Sequence, residues 1–186
     1  MTRSLDKTLA EELGLTYGAA LRELVSGAFL REAAKDCGIR FPLLPWRGAR
    51  ERIAFQLAWS AYLASLSLVV AVRMTPGLDA DEKLRRKIFF GTCAFVDAML
   101  SRRASELDPV ARESAERLRS RLLRIIETHR LQEEELASRF LELLHGTASD
   151  DQRIERLAKL TRRTTELLEK LTRSTLEATP KKQAKH

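Results

Sequence analysis

The stretch "IAFQLAWSAYLASLSLVVAV", Ile53 to Val72, runs for twenty residues without a charge. At about 1.5 Å per residue, a helix of that length reaches across the ~30 Å hydrocarbon layer of a membrane. A helix that is apolar all round is also what the centre of a water-soluble bundle requires. Gln56, Ser60, Ser65 and Ser67 lower its hydrophobicity, and Ala54, Ala58, Ala61 and Ser65 let neighbouring helices approach closely in either solvent. Most of the remaining chain alternates apolar and charged residues at helical spacing, so it is expected to surround this segment. The adopted reading is a buried core helix. A membrane span at 53–72 is the alternative.

Around that segment the chain is expected to be all-α, a single-domain bundle of five or six helices. Its 8 glycines and 5 prolines are few for 186 residues, and no run has the two-residue alternation of a strand. A first helix is expected over about 5–13, with Ser4 as N-cap and Gly14 as its stop, and a second from Thr16 through Lys35. "CGIRFPLLPWRG" follows as an extended connection that lays Phe41, Leu43, Leu44 and Trp46 on the bundle. After the core helix, Asp79 or Asp81 caps a fourth helix that runs to about Leu107. Asp108-Pro109 then reads as an N-cap followed by proline in the first turn.

A fifth helix is expected to continue from Val110 to His145. Leu118, Leu122, Ile125, His129, Gln132 and Leu136 repeat in the four-three spacing of a bundle seam, with a slip before Phe140. "GTASDD" ends it, and a sixth helix covers Asp151 to Ala178. The fifth and sixth are expected to form a long antiparallel pair over 109–178, within a bundle over 1–178. Residues 179–186, "TPKKQAKH", read as a disordered basic tail.

The net charge is +7. Residues 1–75 hold 10 basic and 7 acidic groups, 76–149 hold 13 and 13, and 150–186 hold 10 and 6. The excess therefore sits at the two ends, which favours anionic partners. On the sixth helix, Ile154, Leu157, Leu160, Thr164, Leu168 and Leu171 form an apolar arc. Arg156, Lys159, Arg163 and Lys170 line one flank of it, as a nucleic-acid-binding stripe that neutralises phosphates. Anionic lipid offers the same chemistry. The helix has no aromatic side chain on which bases would stack. The alternative is a solvated face whose long side chains cover the seam.

Three other strings carry chemistry. "TLAEELGLTYGAALREL", residues 8–24, has Ala10 and Gly14 where a DNA-reading helix-turn-helix needs them. Glu23 falls where that motif needs an apolar residue, so an ordinary helical hairpin turning at Gly14 is preferred. "RIIETH", Arg124 to His129, is similar to the Arg-x4-His ribonuclease motif of HEPN domains. That resemblance covers six residues and implies RNA cleavage by Arg124 and His129 across a dimer interface. On one helix the two diverge by about 140°, and His129 falls on the seam. Glu142 and His145 form a single Glu-x-x-His pair, where a di-iron bundle needs two. No metal site and no cofactor are expected.

Cys37 and Cys93 are expected as reduced, buried thiols. No secretory signal is expected at the N-terminus, where "MTRSLDKTLAEELGL" lacks an apolar run. The abundance of arginine and the lack of asparagine suggest a bacterial source. The function expected is a non-enzymatic helical interaction or assembly protein, cytoplasmic and homo-oligomeric or part of a complex, with nucleic acid as a further partner. A HEPN-like ribonuclease and a membrane-associated protein are the alternatives.

Overall fold

The computed structural model describes residues 6–41, 49–104, 109–128, 133–147 and 150–178. Among these the chain is all-helical, with no strand and seven α-helices: α1 (Lys7–Leu24), α2 (Gly27–Asp36), α3 (Ala49–Met74), α4 (Glu82–Ala104), α5 (Pro109–Thr128), α6 (Glu133–His145) and α7 (Asp151–Ala178). A single 3₁₀ turn, Leu78–Ala80, leads into α4. Residues 179–186 lie outside the described residues.

The uncharged segment forms the middle of α3, and 89% of its most apolar window is buried. Helices α1, α4, α5, α6 and α7 all pack on it. Its serines cost little to bury because each hydroxyl returns to its own helix: Ser60 donates to the Leu57 carbonyl, Ser65 to Ala61 and Ser67 to Leu63. Trp59 is fully buried at the centre of an aromatic cluster. It stacks on Tyr62 at 5.0 Å and Phe55 at 6.2 Å, and Phe140 of α6 closes over both Trp59 and Tyr62.

Two polar groups of α3 also determine how α1 ends. The last carbonyls of a helix have no partner within it. Gln56 donates to the Val25 carbonyl at 2.9 Å, and Trp59 Nε1 donates to the Leu24 carbonyl at 3.2 Å. The Ser26 hydroxyl donates to the Arg22 carbonyl at 3.1 Å. Gly27, at φ +59, then turns the chain into α2.

The structure corrects the expected turn at Gly14. Helix α1 passes through Gly14 and Gly18 without a break, and its N-cap is Asp6, whose carboxylate accepts from Leu9 N–H at 2.8 Å. Neither a helix-turn-helix nor a hairpin exists there. The glycines serve close packing instead. A Cβ on Gly14 would stand 3.3 Å from the Ile88 carbonyl oxygen and 3.4 Å from the Gly91 Cα. One on Gly18 would stand 2.5 Å from the Phe95 Cβ. Glu11 pairs with Lys87 one turn earlier, so α1 and α4 run in the same direction with their backbones nearly touching. The start of α4 follows the sequence closely: Asp81 accepts from Leu84 N–H at 3.0 Å.

The single fifth helix is corrected as well. Its span holds two helices, α5 and α6, and the seam residues His129 and Gln132 lie outside the described residues. Thirty-six continuous residues would be roughly 54 Å long and would overrun α3, whose length is about 39 Å. Division lets Leu122 and Leu123 of α5 and Phe140 and Leu141 of α6 enter the same core. Arg119 clamps Asp97 through two hydrogen bonds of 2.7 and 2.8 Å, and Arg86 pairs with Glu127. These contacts make α5 antiparallel to α4. Of the expected extended connection, Ile39 and Phe41 are described, and Phe41 meets Phe55 edge-on at 5.9 Å. Leu43, Leu44 and Trp46 lie outside the described residues.

Helix α7 is held by buried hydroxyls. Thr161 and Thr172 donate to the Leu157 and Leu168 carbonyls of their own helix. With their protons committed, they accept from tyrosines: Tyr62 of α3 at 2.5 Å and Tyr17 of α1 at 2.6 Å. Burial pushes the Tyr17 hydroxyl up to about 12, against an opposing pull from Thr172. Its folded pKa lies above its ordinary value of 10, so the neutral form stabilises the fold. That contribution is fully present below about pH 10 and is lost as pH climbs from 10 toward 12, by roughly 2–3 kcal/mol. Denaturation curves above pH 10 should fall more steeply for the wild type than for Tyr17→Phe. Parallel pH dependence of the two proteins would show that Tyr17 is not the cause.

Candidate nucleic-acid interface on the last helix

The start of α7 is fixed locally. Asp150 accepts from Arg153 N–H at 2.8 Å, and the Arg153 guanidinium returns to the same carboxylate at 3.0 Å. The guanidinium also lies on Gly38, where a Cβ would meet its Cζ at 3.0 Å. Beside it His145, the last residue of α6, places Nε2 at 2.7 Å from the Cys37 carbonyl oxygen, so that nitrogen carries a proton and donates. The end of α2 thus meets one arginine and one histidine, groups that complement the partial negative charge of a helix C-terminus.

From there α7 shows two distinct faces. Leu157, Leu160, Thr161, Thr164, Leu168 and Thr172 are buried. The four expected stripe residues Arg156, Lys159, Arg163 and Lys170 are all exposed on the other side. Fourteen residues separate the first from the last, about 21 Å along the helix. The structure therefore brings the four onto one outward surface.

Three of the four side chains have protein partners. Arg156 bonds the Gln152 carbonyl at 3.3 Å and its Oε1 at 3.2 Å. Lys159 pairs with Glu155 at 2.9 Å, and this contact holds the Glu155 carboxyl below the usual range. Arg163 reaches Glu32 of α2 at 3.3 Å. Exposed pairs of this kind contribute little and are screened by salt, so a phosphate can displace the carboxylates at small cost. Glu166 stands exposed between Arg163 and Lys170 and interrupts the positive row. Arg173, exposed one turn beyond Lys170, extends the row. Sequence reasoning missed it because the apolar arc was traced only to Leu171, although the same 100° step reaches Arg173.

The other candidates are placed in part. Arg124 is exposed on α5, while His129 lies outside the described residues. Glu142 pairs with Arg139 at 2.9 Å, and His145 turns to the Cys37 carbonyl, so this Glu-x-x-His pair serves two separate contacts. Among the described residues no group of three His, Cys, Asp or Glu side chains is placed to hold a metal ion. Both cysteines are free thiols in the core. Burial raises Cys37 well above its ordinary value and Cys93 to about 12, which suppresses the reactive thiolate.

Comparison with known proteins finds no matching family model, no matching curated protein and no matching solved structure.

Proposed function

We propose that this chain is a non-enzymatic helical interaction protein that assembles with itself or within a larger complex and holds nucleic acid through the outward face of α7. The observation that carries the reading is the exposure of Arg156, Lys159, Arg163 and Lys170 on one side of a helix whose other side is buried. A face so backed is rigid, and it offers cations to phosphates without reshaping the bundle. Burial of α3 supports a water-soluble body for this face, and with it a cytoplasmic setting. The architectural part of the proposal is that α6 and α7, packed on each other and joined by residues 146–150, form the antiparallel C-terminal pair.

The test is fluorescence anisotropy with a labelled duplex across a salt series. Four phosphate contacts give a slope of log K against log salt of about −3.6 for B-form DNA. The triple variant Arg156→Glu, Lys159→Glu, Arg163→Glu removes three contacts, so its slope is expected to shrink to about −0.9. All three positions are exposed, so the variant should remain folded by circular dichroism. Salt-independent binding, or none, removes the nucleic-acid reading. Sizing of the same sample tests assembly, and a monomer without a partner removes that part.

A further inference from the structure

A separate cavity of about 510 Å³ opens among Ile39, just past α2, the end of α6, the first turns of α3 and the middle of α5. Its size falls within the ~300–1,000 Å³ of small-molecule sites, which are mostly apolar with a few placed polar groups. The floor is built by Ala54 and Phe55 of α3, Leu118 of α5, and Leu143 and Leu144 of α6. The small side chains Ala54 and Ala58 supply the depth. Water on such a floor finds few hydrogen-bond partners, so an apolar chain would replace it favourably.

The rim has a different character. Arg117 and Arg121, one turn apart on α5, both line the cavity, with Ser114 beside them and Glu51 of α3 also on the lining. Arginine forks match a carboxylate with paired hydrogen bonds. Arg117 now pairs with Glu113 on its own helix, an exposed contact that exchanges at little cost. Arg121 has no carboxylate partner among the described residues. Among the described lining residues, Glu51 leaves the two arginines a net single positive charge, which suits a monoanion.

We propose that this groove binds a long-chain carboxylate, with the hydrocarbon on the Phe55–Leu118–Leu144 floor and the carboxylate at Arg117 and Arg121. The site is distinct from the face of α7 and does not depend on nucleic-acid binding.

The experiment is calorimetric titration of the full chain with hexadecanoate below its aggregation concentration, beside hexadecanol and octanoate. Saturable binding at one site per chain is expected. Hexadecanol and the Arg121→Glu variant should each bind about tenfold or more weakly, because a charge-assisted contact is lost. Octanoate should bind more than about a hundredfold more weakly, since each methylene contributes up to about fourfold. Ala54→Leu, which fills the groove, should weaken hexadecanoate without lowering the melting temperature. Arg121 is exposed, so its variant reads the head contact in a folded protein, and it should leave any oligonucleotide affinity unchanged. Absent or non-saturable binding, or equal affinity for acid and alcohol, overturns the proposal. So does an Arg121→Glu variant that binds hexadecanoate as the wild type does.

Discussion

Trp59→Ala is expected to remove about 3–5 kcal/mol of stability, the usual cost of truncating a large buried aromatic side chain. For a chain of this size that lowers the melting temperature by roughly 6–20 °C. Two losses combine. The cavity opens among Phe55, Tyr62 and Phe140, which belong to two different helices and cannot collapse together. The Leu24 carbonyl, buried at the end of α1, also loses its donor. Trp59→Phe separates the two, because it keeps most of the packing and loses only the indole N–H. It should cost about 1–3 kcal/mol, largely the penalty of an unsatisfied buried acceptor. Urea denaturation of both variants checks the order. A Trp59→Ala loss below about 1 kcal/mol would mean that the cluster does not pack as described.

Gly18→Leu is expected to have the second largest effect on stability, about 3 kcal/mol or more. Two opposing effects meet at this position. Replacing a helical glycine gains up to about 1 kcal/mol in propensity. Overpacking against α4 costs about 1–3 kcal/mol and sometimes more. Overpacking wins because the neighbour is the Cβ of Phe95, 2.5 Å from the added atom, and a Cβ cannot swing aside. Gly18→Ala should already destabilise, reversing the gain that alanine brings at an open helical site. Leu15→Ala is the control: Leu15 is 61% exposed on the same helix, and its truncation should stay within about 0.5 kcal/mol. A Gly18→Leu variant that melts at the wild-type temperature would show that α1 and α4 are not in backbone contact.

Different parts of the fold were legible in the sequence for different physical reasons. Helix α3 was legible because nothing but burial in protein or lipid explains twenty uncharged residues. The bounds of α7 and a cap on α4 by Asp79 or Asp81 were legible because both signals are local, a carboxylate followed by a periodic run, and the structure selects Asp81. Gly14 was misread because the missing Cβ serves a turn and a close crossing equally well. What decides between them is Gly91, which is far away along the chain. The division into α5 and α6 was hidden because each half keeps the seam spacing, and only the finite length of α3 forces them apart. Of the candidate interface, the outward row was readable from helical phase. The partners Glu155 and Glu32 differ in this respect: Glu155 is four residues from Lys159, whereas Glu32 reaches Arg163 only through the packing of α2 on α7. The groove on α5 was invisible for the same reason, since its walls come from separate helices.

The two tyrosine–threonine bonds have a mechanical consequence for α7. Thr161 and Thr172 lie eleven residues apart, about three turns or roughly 16 Å, and each is held by a different helix. Sliding α7 by one turn toward its C-terminus would set the two tyrosine hydroxyls against Leu157 and Leu168, whereas the opposite slide would bring Thr164 and Thr175 up to them. Travel of the helix is therefore opposed one way and eased the other. Whatever reads its outer side therefore meets the cations at a height that can shift in one direction only, as on a ratchet.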